Sequence, residues 1–147
     1  MLLFETKKTL LLYGAIVVRA YQNELKANKK IATGGTIASL QNTVVSEPLV
    51  LGFRVTGDKV FDYIEFGRRA GAKMPPKGVL LPWLKVKGMS PKLEYIIRKS
   101  IAAKGIAPVP VSENVKQIIL PRMQVDVETA LGRDIETSFV QYAKSIL

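Results

Sequence analysis

The chain has 147 residues, 48% of them hydrophobic and 23% charged, with a net charge of +10 and neither cysteine nor histidine. That length predicts one domain over residues 1–147, able to bury about two-thirds of the surface its unfolded form exposes without a metal or a disulfide. The two absent residue types exclude thiol nucleophiles, disulfide frameworks, Ser-His dyads and ordinary zinc cages, leaving carboxylate, lysine or tyrosine chemistry or no chemistry, and no cofactor is expected.

The first expected element is a helix from about Glu5 to Asn28, roughly 36 Å long. Its apolar run Leu10–Val18 has nine residues against the ~20 of a membrane span, so no membrane partner is expected. Nor does the run read as a signal peptide, because Glu5 precedes it and Val18-Arg19-Ala20 ends it without a small-residue cleavage site. Leu10, Tyr13, Gly14, Val17, Tyr21 and Leu25 share one face, while Leu12 and Ile16 start a second. So wide an apolar arc calls for packing on two sides, against a neighbouring subunit or wholly within its own domain. Tyr13, Val17 and Tyr21 are therefore candidate inter-subunit residues.

Lys29 and Lys30 suit a helix end, Gly34-Gly35 breaks the pattern, and Thr36 to Leu40 fits one short turn. The period then becomes two: Leu49, Leu51, Phe53 and Val55 alternate with Val50, Gly52 and Arg54, a half-buried strand whose partner is Asn42 to Ser46. Val60 to Phe66 is ambiguous between strand and helical turn. Gly67 to Pro76, with two glycines, two prolines and three cations, reads as an exposed, stiffened loop, and it lacks the Walker spacing of a phosphate cradle. A short helix follows over Val79 to Lys87, with Pro82 in its first turn and Trp83 as its packing anchor. Ser90 and Pro91 open another, with Leu93, Ile96, Ile97 and Ile101 on its apolar side. Ser112 is expected to cap a segment that Pro121 kinks or breaks, before a last helix with Val127, Ala130, Leu131, Ile135, Ser138, Phe139, Tyr142 and Ile146 on one face. The expected fold class is α+β: a long N-terminal helix, a small antiparallel β-sheet in the first half and several helices in the second.

Charge is uneven along this order. Residues 66–105 hold ten basic side chains and one acidic, against eight and six before them and four and five after. Such a segment can address phosphates or an acidic protein, and Lys92, Arg98 and Lys99 are its candidate basic surface. The aromatic strand signature of an RNA-binding sheet is absent. Asp62 and Glu65 form the only closely spaced carboxylate pair beside the loop. An ion pair from Glu65 to Arg68 or Arg69 explains that spacing without catalysis, and exposed Lys73 or Lys77 would keep its proton and make a poor Schiff-base nucleophile.

Several segments stand in a recognisable order: Ala32-Thr33-Gly34, Ile64-Glu65-Phe66-Gly67-Arg68-Arg69, Lys73-Met74-Pro75-Pro76, Leu81-Pro82-Trp83-Leu84, Lys87-Gly88, and Ile96-Ile97-Arg98-Lys99-Ser100-Ile101 running to Lys104-Gly105-Ile106-Ala107-Pro108. From about residue 31 onward this order resembles the tail-component proteins of tailed bacteriophages, the tail-completion or neck subunits of the head-to-tail connector. After Pro108 the chain reads Val109-Pro110-Val111-Ser112 where that family has Arg-Pro-Phe-Phe. The resemblance implies a non-enzymatic α+β virion protein that assembles as a homo-oligomeric ring around the DNA channel. Its expected partners are neighbouring connector, terminator or tail proteins, with transient contact to passing DNA, in the virion neck and, during assembly, the host cytoplasm. A ring repeats a heterologous contact, so two different surfaces are needed. The first-helix face supplies one candidate and Glu65, Arg68, Arg69, Lys73, Pro75 and Pro76 the other. The competing readings are a basic nucleic-acid-binding module contacting phosphates through residues 66–105, and a small carboxylate enzyme.

Overall fold

Helix α1 runs over Phe4–Ala27, α2 over Gly35–Ser39, strands β1 and β2 over Gln41–Glu47 and Val50–Thr56, and α3 over Lys59–Phe66. Then come α4 at Leu81–Val86, a 3-10 turn at Pro91–Leu93, α5 at Glu94–Lys104 and α6 at Val111–Ile146. The computed structural model describes residues 3–30, 34–48 and 50–146; Leu49 of the expected strand and Ala32-Thr33 of the motif order lie outside them. The fold is α+β and mostly helical, with the long first helix, the two-stranded antiparallel sheet and the C-terminal helices where they were expected.

The chain forms two compact units. The first takes α1 up to Tyr21, the β1–β2 hairpin, and α6 from Glu113 onward. Here α1 and α6 run antiparallel, tied at two levels by hydrogen bonds from Thr6 to Asp134 and from Tyr13 to Asp126. Leu10, Tyr13, Val17, Val115 and Ala130 are its buried apolar side chains. The strands pair with Val44 opposite Phe53 and Thr43 opposite Arg54. The hairpin meets α1 at Gly14, where a Cβ would lie 2.3 Å from Asn42 Nδ2, so a side chain there must push the Asn42 side chain aside.

The second unit takes Gln22–Leu40 and Gly57–Ser112, with Leu25, Leu40, Leu84 and Val111 buried. Capping decides the segment that periodicity leaves open. The Asp58 carboxylate accepts from the amides of Val60 and Phe61, both at 3.1 Å, and residues 59–66 follow as helix α3. At α4 the Pro82 ring occupies the first turn as expected, but the buried anchor is Leu84, while Trp83 is only half-buried.

Three expectations change with the structure. Pro121 neither ends nor interrupts α6, which is continuous over 36 residues. Its missing amide removes one bond at a solvent-exposed position, and the packed segments on both sides hold the helix through it. Ser112 is not a cap; it lies inside the first turn of α6, whose start is fixed from elsewhere. The apolar rows expected on α5 and α6 are only partly inward. Ile97 and Ile101 are half-buried, but Ile96 is 63% exposed, and the buried row of α6 runs through Val115, Ala130 and Asp134, leaving Phe139 71% and Tyr142 66% exposed.

Candidate interaction surfaces

The Gly67–Pro76 loop is fastened along its whole length. Arg68 and Ile106 exchange backbone hydrogen bonds of 2.9 and 2.7 Å, and the Gly71 amide donates to the Ala102 carbonyl at 2.7 Å. Two glycines make the first contact possible: Gly67 and Gly105 have φ of 69° and 74°, and a Cβ on Gly105 would stand 2.2 Å from the Arg68 carbonyl oxygen. Within the loop an Arg68 Nη2 donates to the Lys73 carbonyl, and the guanidinium lies 5.7 Å from the Tyr63 ring centroid. At its far end Arg98 Nε donates to the Pro75 carbonyl at 2.7 Å, and the buried Glu94 carboxylate accepts from the Gly78 amide. The loop is an ordered strap held by α5.

These bonds reassign several candidate residues. Glu65 does not reach for Arg68 or Arg69; both its carboxylate oxygens accept from the Ser112 amide, at 3.0 and 3.2 Å, and so cap the start of α6. The reason is supply and demand: the unpaired amides at a helix start need an acceptor, and Arg68 is already engaged in the loop. Asp62 is exposed and does not share that role, so the two carboxylates do not act as a pair. Arg98 is half-buried on the Pro75 carbonyl, which removes it from the basic surface, while Lys92 and Lys99 are exposed. Arg69, Lys73 and Pro76 are exposed and Pro75 is buried.

On α1 the wide arc resolves into an inward and an outward side. Tyr13 and Val17 are 5% and 9% exposed within the chain itself, so they are core residues and not a surface offered to a neighbour. Tyr21 is half-buried. The free apolar groups of α1 are Phe4, Leu11, Leu12 and Ile16.

Two acids that periodicity did not single out hold the first unit together. Asp134, 4% exposed, accepts from the Thr6 amide at 2.8 Å, the Glu5 amide at 2.9 Å and the Thr6 hydroxyl at 2.7 Å, capping α1 from a distant helix. Burial pushes its carboxyl upward, but the Thr6 hydroxyl and the amides of Thr6, Glu5 and Phe4 outweigh it and hold the group below its ordinary value. Asp126 accepts from the Tyr13 hydroxyl at 2.6 Å and from Arg122, and these bonds lower it too, while the Tyr13 hydroxyl is pushed up by the same bond. The available signal was a lone acid in the otherwise inward row Val127, Ala130, Asp134, Ser138.

Charge divides sharply between the units. The first carries eight basic and seven acidic residues; the second carries fourteen and five. Three of those five acids serve as caps or clasps, Asp58 on α3, Glu65 on α6 and Glu94 on Gly78, while Glu24, half-buried, accepts from Asn28 at the surface. Twelve of the fourteen cations are exposed, the exceptions being Arg68 and Arg98. The surface of the second unit is therefore almost uniformly cationic, with Asp62 its one exposed acid.

Among the described residues no group of three or more carboxylates is placed to hold a metal ion, and no helix is long and apolar enough to cross a membrane. No family model matches the chain, and comparison with curated proteins and with solved structures finds no significant relative.

Proposed function

We propose that this chain is a structural subunit of the head-to-tail connector of a tailed bacteriophage. It would assemble with further copies and with neighbouring connector or tail proteins into a ring around the DNA channel, and perform no reaction of its own. The observation that carries this reading is the balance of apolar side chains. Among the described residues nine apolar side chains are buried, whereas twenty-four large ones are exposed, from Phe4 on α1 to Ile146 on α6. Single exposed apolar residues are ordinary, but rows of them at helical spacing mark surfaces meant for other proteins. The motif order adds to this. Its Gly67-Arg68 and Gly105-Ile106 segments, far apart in the chain, are bonded to one another, so they serve as a scaffold. The carboxylate pair beside the loop, Asp62 and Glu65, is divided between solvent and a helix cap, which weakens the enzyme reading built on it.

Electron microscopy of the purified protein, alone and mixed with the adjoining virion proteins, tests this reading. Closed rings, or incorporation at the neck of assembling particles, are expected; a chain that stays monomeric and ignores every virion component contradicts it.

The cationic surface of the second unit favours one further reading, contact with DNA phosphates. In that case duplex affinity should fall steeply with salt on a log–log plot and weaken when Lys92 and Lys99 become alanine. Arg98 no longer belongs in that test, because its loss would release the loop.

A further inference from the structure

The most extended uncovered apolar row lies on the second half of α6. Glu128, Leu131, Ile135, Phe139, Tyr142 and Ile146 follow one another at steps of three or four residues and share one side of the helix. Leu131 and Ile135 are 37% and 38% exposed, and Phe139, Tyr142 and Ile146 are 71%, 66% and 67% exposed. The charges around this row are sorted. Glu128 lies in it and Glu136 about a quarter turn from its centre, while Arg133 and Lys144 fall on the opposite side of the helix at ~100° per residue. The row is apolar and acidic.

A counterpart occurs in the second unit, on the outer side of the 3-10 turn and α5. Lys92, Tyr95, Ile96, Lys99 and Ala103 share that side, with Leu93 beside them. Tyr95 and Ile96 are 59% and 63% exposed, and Lys92 and Lys99 are exposed between and around them. The only acid of these two elements, Glu94, is buried with its carboxylate on the Gly78 amide. This face is apolar and basic.

We propose that the α6 row of one copy docks on the turn–α5 face of a second copy, a head-to-tail contact between unlike surfaces. Each face supplies large side chains for the other's apolar strip, and Glu128 and Glu136 supply charges opposite to Lys92 and Lys99. A phosphate backbone would satisfy the lysines but leave Ile96 and Tyr95 without an apolar partner. Pairing the α5 face with itself would set Lys92 and Lys99 against like charge, which is costly. The pairing draws on exposure and charge alone and does not rest on the connector reading. A contact between unlike surfaces leaves a free face on every copy and therefore propagates into rings or filaments.

The test uses full-length protein in sedimentation velocity over a range of concentrations, with two charge-reversed variants: E128K/E136K on the row and K92E/K99E on the face. All four positions are exposed, and thermal melting checks that both variants stay folded. The wild type is expected to grow beyond dimers with concentration. Each variant alone should associate roughly tenfold or more weakly, because like charges now meet. An equimolar mixture of the two should assemble again, since each then meets its opposite. Wild-type association that neither reversal weakens, or a mixture that stays apart, overturns the pairing. So does a K92E/K99E protein that loses duplex DNA binding but still associates as the wild type does. A wild type that remains monomeric yet still binds adjoining virion proteins overturns the pairing and leaves the connector reading standing.

Discussion

Asp134 and Thr6 illustrate how much of this fold rests on single polar residues reached across the chain. Asp134 provides an acceptor for the first turn of α1 from 128 positions away, and Asp126 does the same for Tyr13. Both carboxyls have folded pKa values below the ordinary 3.8, so each binds its proton more readily when unfolded. Their stabilisation is therefore complete above 3.8 and is lost as the pH falls through the lower folded values. Asp134→Asn is expected to lower the melting temperature at neutral pH and to flatten the acid limb of a circular-dichroism melting series. An unchanged acid limb would mean that the cap contributes nothing. At Gly105 the demand is steric. Alanine there combines a φ of 74° with a Cβ 2.2 Å from the Arg68 carbonyl, and should cost more than ~1 kcal/mol in chemical denaturation. Neither partner was readable in the sequence: an inward acid or a glycine announces that something must approach it, but not which residue does.

At the scale of elements, local chemistry made the helices and the hairpin legible. Proline and serine at helix starts, glycines after helix ends and the two-residue alternation of Leu51, Phe53 and Val55 all act within a few residues of where they appear. The phase of α1 was legible, its expected face being the buried one; what stayed hidden was the phase of α5 and α6 against their surroundings. Apolar residues of α5 and α6 recur at the right period, but Glu94 and Asp134 take the inward positions because unpaired amides elsewhere need them. Pro121 shows the same limit in reverse, since tertiary packing carries α6 past a residue that local preference would use as a stop. Pro121→Ala should therefore stabilise the protein, by at most ~3 kcal/mol, read from denaturant midpoints. The strap over α5 makes another claim. Arg98→Ala should leave the helical content unchanged while making the Gly67–Pro76 loop open to limited proteolysis, whereas Lys99→Ala, which removes an exposed cation, should leave the cleavage pattern as it is. Equal protection in both variants would show that the Gly71 and Arg68 backbone bonds suffice to hold the strap.

For the molecule as a whole, the sequence displayed the basic excess of residues 66–105 but not the reason it reaches the surface undiluted. That reason is structural: three of the five acids of the second unit serve as caps and clasps, so its exterior is left mostly to lysine and arginine. The apolar surplus was likewise half-visible. Periodicity marked Tyr13 and Val17 as sticky, and they are, toward their own core; the rows left exposed are the less obvious ones at Leu131–Ile146 and Tyr95–Ile96. An acidic apolar row and a basic apolar face on one chain are the two surfaces that the proposed pairing joins, so self-association is the claim to test. The most direct test is the mass distribution of the purified wild-type chain in solution as its concentration rises. The account predicts species that grow past the dimer and dissociate when salt is raised, because the faces are joined partly by charge. A single monomeric species at every concentration and salt would contradict it.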